Sequence, residues 1–275
     1  MRTGTIIAFI ISLLIQVSLP LAVTLLFRRW LRPPWVLYIY GALIYAVFQL
    51  FTSMPLNVYL DTVLGARFST KFEWELIWLM SSAGLSALIE EGGRWLGYRY
   101  LFPKAKAKLT WRNGVMYGLG HASVETLLLF AGLTFVTLLA YVVLGQLDLD
   151  AIAQSMGAEG SPALIEALHE IQNMNWTQPL VVAAERVLAL PHQVAWALMV
   201  MASQIHRRKR WFVFAVAYHV SIAVIVPSLA DLAGFGVAEG VNLVLAVLSL
   251  LIITKLRAFC EPEPSTGASR TGMAG

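Results

Sequence analysis

Long apolar runs separated by short clusters of arginine and lysine set the pattern of this chain. A helix needs about 20 apolar residues to cross roughly 30 Å of hydrocarbon at 1.5 Å per residue. Seven stretches qualify: Thr5–Phe27, Trp35–Met54, Glu75–Tyr98, Asn113–Leu144, Leu180–Gln204, Trp211–Leu229 and Val237–Lys255. The fourth is too long for a simple crossing and is expected to tilt, to project beyond the bilayer, or to break near Gly132. The first follows Arg2, as a signal peptide would. It is longer than a signal core and ends in Arg28-Arg29-Trp30-Leu31-Arg32, so it reads as a retained anchor.

The connections alternate in charge. Basic residues follow the first run (Arg28, Arg29, Arg32), the third (Arg99, Lys104, Lys106, Lys108, Arg112), the fifth (His206 through Arg210) and the seventh (Lys255, Arg257). Residues 55–74, the acidic 145–179 connection and the turn at Asp231 lie between them. The positive-inside rule then places the N-terminus outside and the C-terminus in the cytoplasm. The expected fold class is an all-α polytopic membrane protein of about seven transmembrane helices, in the inner (plasma) membrane, with a four-helix catalytic core. Residues 1–258 form one integral domain, with its core at 75–230 and an outer loop at 145–179. Ala151–Met156 and Pro162–Ile171 in that loop are candidate amphipathic helices. Residues 259–275, rich in Pro, Ser and Gly from Glu261 on, read as a disordered cytoplasmic tail. No internal repeat or low-complexity tract is visible.

Composition sharpens this picture. Of 275 residues, 58% are hydrophobic and only 13% charged, about half the charged share of a soluble domain. Mean hydropathy is +0.70. These values exclude a soluble globular enzyme and a disordered chain. The single cysteine, Cys260, excludes an intramolecular disulfide and a CxxC metal site, and reads as unmodified rather than lipidated. The net charge of +4 lies in span-flanking clusters. It therefore reports topology, and no nucleic-acid partner is expected.

A charge at the bilayer centre costs about 2.5–3.5 kcal/mol even on lenient scales. The expected spans nevertheless contain Glu90, Glu91, Arg94, His121, Glu125, Glu185, Arg186, His192 and His219. Glu90 lies eight residues before Tyr98, His121 nine after Arg112 and His219 eight after Trp211. All three therefore sit roughly 12–14 Å beneath the cytoplasmic surface, with His192 somewhat deeper. Arg94 is four residues from Glu90 and three from Glu91, so it reaches either. Glu90 and Glu91 point about 100° apart, so one should face the centre squarely and the other bind Arg94. Gly93-xxx-Gly97 and Gly114-xxx-Gly118 are expected to let the third and fourth spans approach closely, carrying the carboxylates towards His121.

Imidazoles with a carboxylate form a common zinc set, and a catalytic site leaves one position for water. A second carboxylate beside it can act as general base. A metal-free version uses Glu90 or Glu91 to activate water and the histidines to hold the oxyanion.

The run Glu90-Glu91-Gly92-Gly93-Arg94, with Gly118 through Glu125, Glu185-Arg186 through His192, and His219 on successive spans, resembles the YhfC family of intramembrane metalloproteases. The likeness covers roughly residues 75–230, and that family is similar to the CAAX prenyl endopeptidase, bacteriocin-processing and PrsW proteins. Arg94 gives the EExxR spacing of the YhfC group rather than EExxxR. Ala223 stands where relatives place Asn or Asp four residues after the histidine corresponding to His219.

The resemblance and the residues together imply an intramembrane peptidase, with a membrane-associated or lipidated peptide as substrate. Glu90, Glu91, Arg94, His121 and His219 are the candidate catalytic residues. His121, His192, His219 and Glu91 are candidate ligands of a divalent metal, zinc by preference. Glu125 and Glu185 would support them from behind, Glu185-Arg186 also reading as a structural pair or path lining. Structural ion pairing of Glu90 and Glu91 with Arg94 is the plainer alternative, but one arginine cannot neutralise two buried carboxylates. Tryptophans and tyrosines near span ends are read as interfacial anchors. A transporter or proton-coupled permease, and an inert scaffold subunit, remain the competing classes.

Overall fold

The structure, a computed structural model, describes residues 2–68, 71–156 and 162–260, and contains helices but no strand among them. Six helices are long and apolar enough to cross a membrane: α1 (Thr3–Leu31), α2 (Trp35–Gly65), α4 (Trp111–Leu144), α7 (Thr177–Ile205), α8 (Arg210–Ala233) and α9 (Phe235–Cys260). Helix α3 (Phe72–Leu96) has 25 residues, long enough to cross. Its acidic start and its Glu90, Glu91 and Arg94 keep it below the apolarity of the others. The chain is an all-α polytopic membrane protein. Two shorter helices, α5 (Leu149–Met156) and α6 (Pro162–Gln172), fill the connection between α4 and α7. Gln172 donates to the carbonyls of Leu144 (2.7 Å) and Leu147 (3.0 Å), tying α6 to the end of α4. The tail expected to be disordered falls, from residue 261 on, outside the described residues.

Helix α7 is the central post. It packs on α1, α3, α4, α8 and α9, and every residue from His192 to Ser203 is buried. The first part of α4 is its counterpart, buried continuously from Asn113 to Ser123. Met116, Tyr117, Leu198 and Met201 interlock between them. Outward faces carry leucine and valine, as lipid requires: Leu14 is 62% exposed and Val244 67%. Pro20, Pro191 and Pro227 sit inside α1, α7 and α8; prolines are more readily tolerated within membrane helices than in soluble ones.

The glycines do not do what their spacing suggested. A Cβ on Gly114 would meet Leu198 and Met201, and one on Gly118 would meet Val194, so this pair receives α7 rather than α3. Gly93 faces Phe48 of α2, and only Gly97, against the Tyr117 hydroxyl, joins α3 to α4. The closest approach is between α2 and α4. A Cβ on Gly41 would lie 2.0 Å from the Tyr117 carbonyl oxygen, and one on Gly120 2.0 Å from that of Tyr38.

Helix α4 stays continuous through Gly132. Its irregularity is a π-helical stretch at Glu125–Phe130, a local widening that often accompanies functional side chains.

Candidate active site

Four helices converge on Arg94. From the last turn of α3 its guanidinium donates to Glu90 Oε1 (2.5 Å), to Glu91 Oε1 and to Gln193 Oε1 of α7. Arg94, Glu91 and His121 are wholly buried, and Glu90 is 3% exposed. Each carboxylate then meets one imidazole. His121 Nε2 of α4 lies 3.0 Å from Glu90 Oε1, and His219 Nδ1 of α8 lies 2.9 Å from Glu91 Oε1.

The expected division, one carboxylate for Arg94 and one for the centre, is corrected by this arrangement. The guanidinium is a planar fork with two separated Nη ends, so it holds both carboxylates although they diverge on the helix.

Aromatic rings fix the imidazoles. His219 stacks on Trp196 with 3.9 Å between centroids and 8° between planes. Tyr45 meets His121 edge-on at 5.1 Å. Trp196 also lies 5.7 Å from the Arg94 guanidinium carbon. A second layer extends through Gln193, whose amide donates to Glu125 Oε2. Arg186 Nη1 reaches Glu125 Oε1 at 3.3 Å, with its guanidinium over the Phe130 ring. Glu125 thus faces the centre through Gln193, while the π-helical stretch begins at its own position. Three carboxylates, Glu90, Glu91 and Glu125, share two guanidinium groups, a formal excess of one negative charge.

His192 and Glu185 are not brought into this group. His192 faces α9 instead, with Nδ1 2.8 Å from Ser249 Oγ and Nε2 3.1 Å from Asn242 Oδ1. Both ring nitrogens are occupied there. Glu185, Arg186, His192 and Ala223 line a separate cavity of about 390 Å³ with Glu239 and Asn242 of α9. Sequence reasoning missed Gln193 and Trp196. Both lie within an expected span well away from its ends, and that position was the available signal.

Ligand atoms of Glu90, Glu91 and His219 all lie within 4.8 Å of one another. Glu91 Oε2 and His121 Nδ1 are buried with no hydrogen-bond partner among the described residues. Buried polar atoms are seldom left so. Carboxylate and imidazole donors, an orphaned acceptor on each of two of them, and a surplus of negative charge together fit a divalent cation.

The fold and site define a membrane-embedded helical protein with a buried carboxylate–imidazole centre. A family model described as YhfC intramembrane metalloprotease matches residues 13–245, and the chain belongs to that family. It is 23% identical over 204 residues to the uncharacterized membrane protein YhfC of Bacillus subtilis (strain 168), covering 73% of this chain and 76% of that one. No solved structure matches the chain.

Proposed function

We propose that the chain is a peptidase that hydrolyses peptide bonds of membrane-associated or lipidated substrates inside the bilayer. The family supports a membrane protease in general terms, and its name implies a metal. The observation that carries the finer reading is the double pairing of Glu90 with His121 and Glu91 with His219 around one buried arginine. On this reading α3 is a seventh crossing, the N-terminus lies outside, and the basic ends lie in the cytoplasm of a plasma membrane.

The chemistry follows from atoms already in place. Glu91 Oε2, buried and unpartnered, accepts a proton from water while the water oxygen attacks the carbonyl carbon. His121 and His219 each donate one ring N–H to a carboxylate, which leaves the second ring nitrogen of each as a lone-pair donor to a divalent cation. When the tetrahedral centre collapses, the proton held by the glutamate passes to the leaving amine. Arg94 orients both carboxylates throughout. Glu91, His219, Glu90 and His121 would hold a divalent metal, zinc by preference, and when bound it would polarise the carbonyl and acidify the water.

The test compares wild type with Glu91→Gln and His121→Ala in detergent. Metal content is measured by mass spectrometry, and cleavage is followed on peptides released from a membrane fraction. The reading expects a bound metal that is depleted in the variants and cleavage abolished in both, with unfolding temperature preserved. Undiminished cleavage of the same peptides by both variants overturns it.

A further inference from the structure

A lateral opening lies beside the site, not in it. A cavity of about 840 Å³ runs between α3, α8 and a π-helical stretch of α2 at Ala46–Ser53, within the size range of small-molecule pockets. Leu88, Trp95 and Leu96 of α3 form one wall, and Phe212 and Val213 of α8 the other. Leu88 and Val213 are 53% and 58% exposed, so the groove opens towards lipid. From Leu88 to Arg99 it extends about 16 Å along α3, the depth of one leaflet of a core roughly 30 Å thick. Arg99, Arg207 and Lys209 close its basic end. They come from two separate connections, are exposed, and enter no salt bridge among the described residues. Gln204 donates to the Trp95 carbonyl at 2.6 Å, joining α7 to α3 below that rim.

An apolar slot one leaflet deep, open sideways and capped by three cations that enter no salt bridge among the described residues, complements an anionic phospholipid. We infer that this groove binds one anionic phospholipid, its phosphate on Arg99, Arg207 and Lys209 and an acyl chain along Leu88, Trp95, Phe212 and Val213. Basic pockets between membrane helices recognise anionic headgroups in this way. The inference does not rest on the peptidase reading, since neither Glu90 nor Glu91 lines the groove.

Native mass spectrometry of the detergent-purified full chain tests it, with phosphatidylglycerol and phosphatidylcholine of identical acyl chains as probes. One phosphatidylglycerol should be retained with about tenfold preference over phosphatidylcholine. The triple variant Arg99→Ala, Arg207→Ala, Lys209→Ala should lose that preference. Gly92 lines the groove, and a Cβ there would have no heavy atom within 4 Å. Gly92→Leu should therefore fill the slot without clashing and lower retention of both lipids. Equal retention of the two lipids by wild type overturns the inference, as does an unchanged preference in the triple variant. Displacement of the lipid by an equimolar amount of glycerol phosphate also overturns it, because that would be a phosphate site without a chain site.

Discussion

His219 lies parallel to the indole of Trp196, 3.9 Å away, while its Nδ1 meets Glu91 Oε1 at 2.9 Å. The stack and the hydrogen bond together fix both the plane and the edge of a ring that would otherwise rotate freely about χ2. Trp196 is therefore a positioning residue. Trp196→Ala should cost roughly 3–5 kcal/mol of stability, the usual range for emptying a buried aromatic site. Trp196→Phe should keep most of that stability yet lose the extended face that holds His219. The expected outcome is a Phe variant that unfolds near the wild-type temperature and cleaves peptides several-fold more slowly, measured on the same preparation. A Phe variant with wild-type turnover would show that the stack is packing alone.

Arg94 carries the heaviest electrostatic responsibility. It is wholly buried and bonds Glu90, Glu91 and Gln193 at once. Removing one partner of a buried ion pair typically costs about 3–5 kcal/mol, because the remaining charge stays desolvated. Arg94→Ala leaves two carboxylates in that condition and should fail to accumulate or unfold early in detergent melts. Arg94→Lys restores charge but not the fork, so it should recover part of the stability. Substituting glutamine for both Glu90 and Glu91 in the Arg94→Ala background should relieve the deficit more fully than Lys does. Equal melting temperatures for wild type and Arg94→Ala would refute this account.

Much of the site was legible because burying charge in a membrane is costly enough to be informative. Glu90, His121 and His219 could be set at one level from their distances to basic span ends, and the hydrogen bonds join them there. Depth, however, says nothing of direction. His192 and Gln193 are neighbours whose side chains diverge by about 100°. The ionisable one turns to α9 and the neutral one enters the centre. An amide raises no alarm on a charge-based reading, so Gln193 went unnoticed. The glycine pairs likewise declared close packing without declaring the partner helix. The span count was read from apolar runs, and α3 is the element where the site chemistry weakens that signal.

Helix α2 has a structural task that follows from a glycine of α4. A Cβ on Gly120 would stand 2.0 Å from the Tyr38 carbonyl oxygen, and the next residue is His121. Backbone cannot yield as a flexible side chain can, so Gly120→Ala must push α2 and α4 apart. Overpacking of this kind typically costs about 1–3 kcal/mol. The displacement should also weaken the His121–Glu90 contact. Gly132→Ala is the control, since nothing lies within 4 Å of its Cβ and helix propensity alone favours it by about 0.5–1 kcal/mol. Melting curves should show Gly120→Ala lowered and Gly132→Ala level or raised. The reverse order would contradict the close α2–α4 crossing.

His192 and His219, both candidate metal ligands from the sequence, should separate on metal content. His219 offers a ligand atom within 4.8 Å of those of Glu90 and Glu91, whereas both nitrogens of His192 are bonded to Ser249 and Asn242. If the centre binds a divalent ion, His219→Ala should lower the bound metal at least about tenfold, the lower end of the range for loss of even an outer partner. His192→Ala should leave the metal-to-protein ratio unchanged and instead cost about 1–3 kcal/mol, through the polar groups of Ser249 and Asn242 it leaves unpaired. His192→Asn, which can still bond one of them, should recover part of that loss. Elemental analysis after dialysis against a weak chelator reads the first quantity and a denaturant melt the second. Metal lost equally from both alanine variants would place His192 at the centre after all, and would require α7 to rotate in the metal-bound protein by most of the angle that now separates it from Gln193.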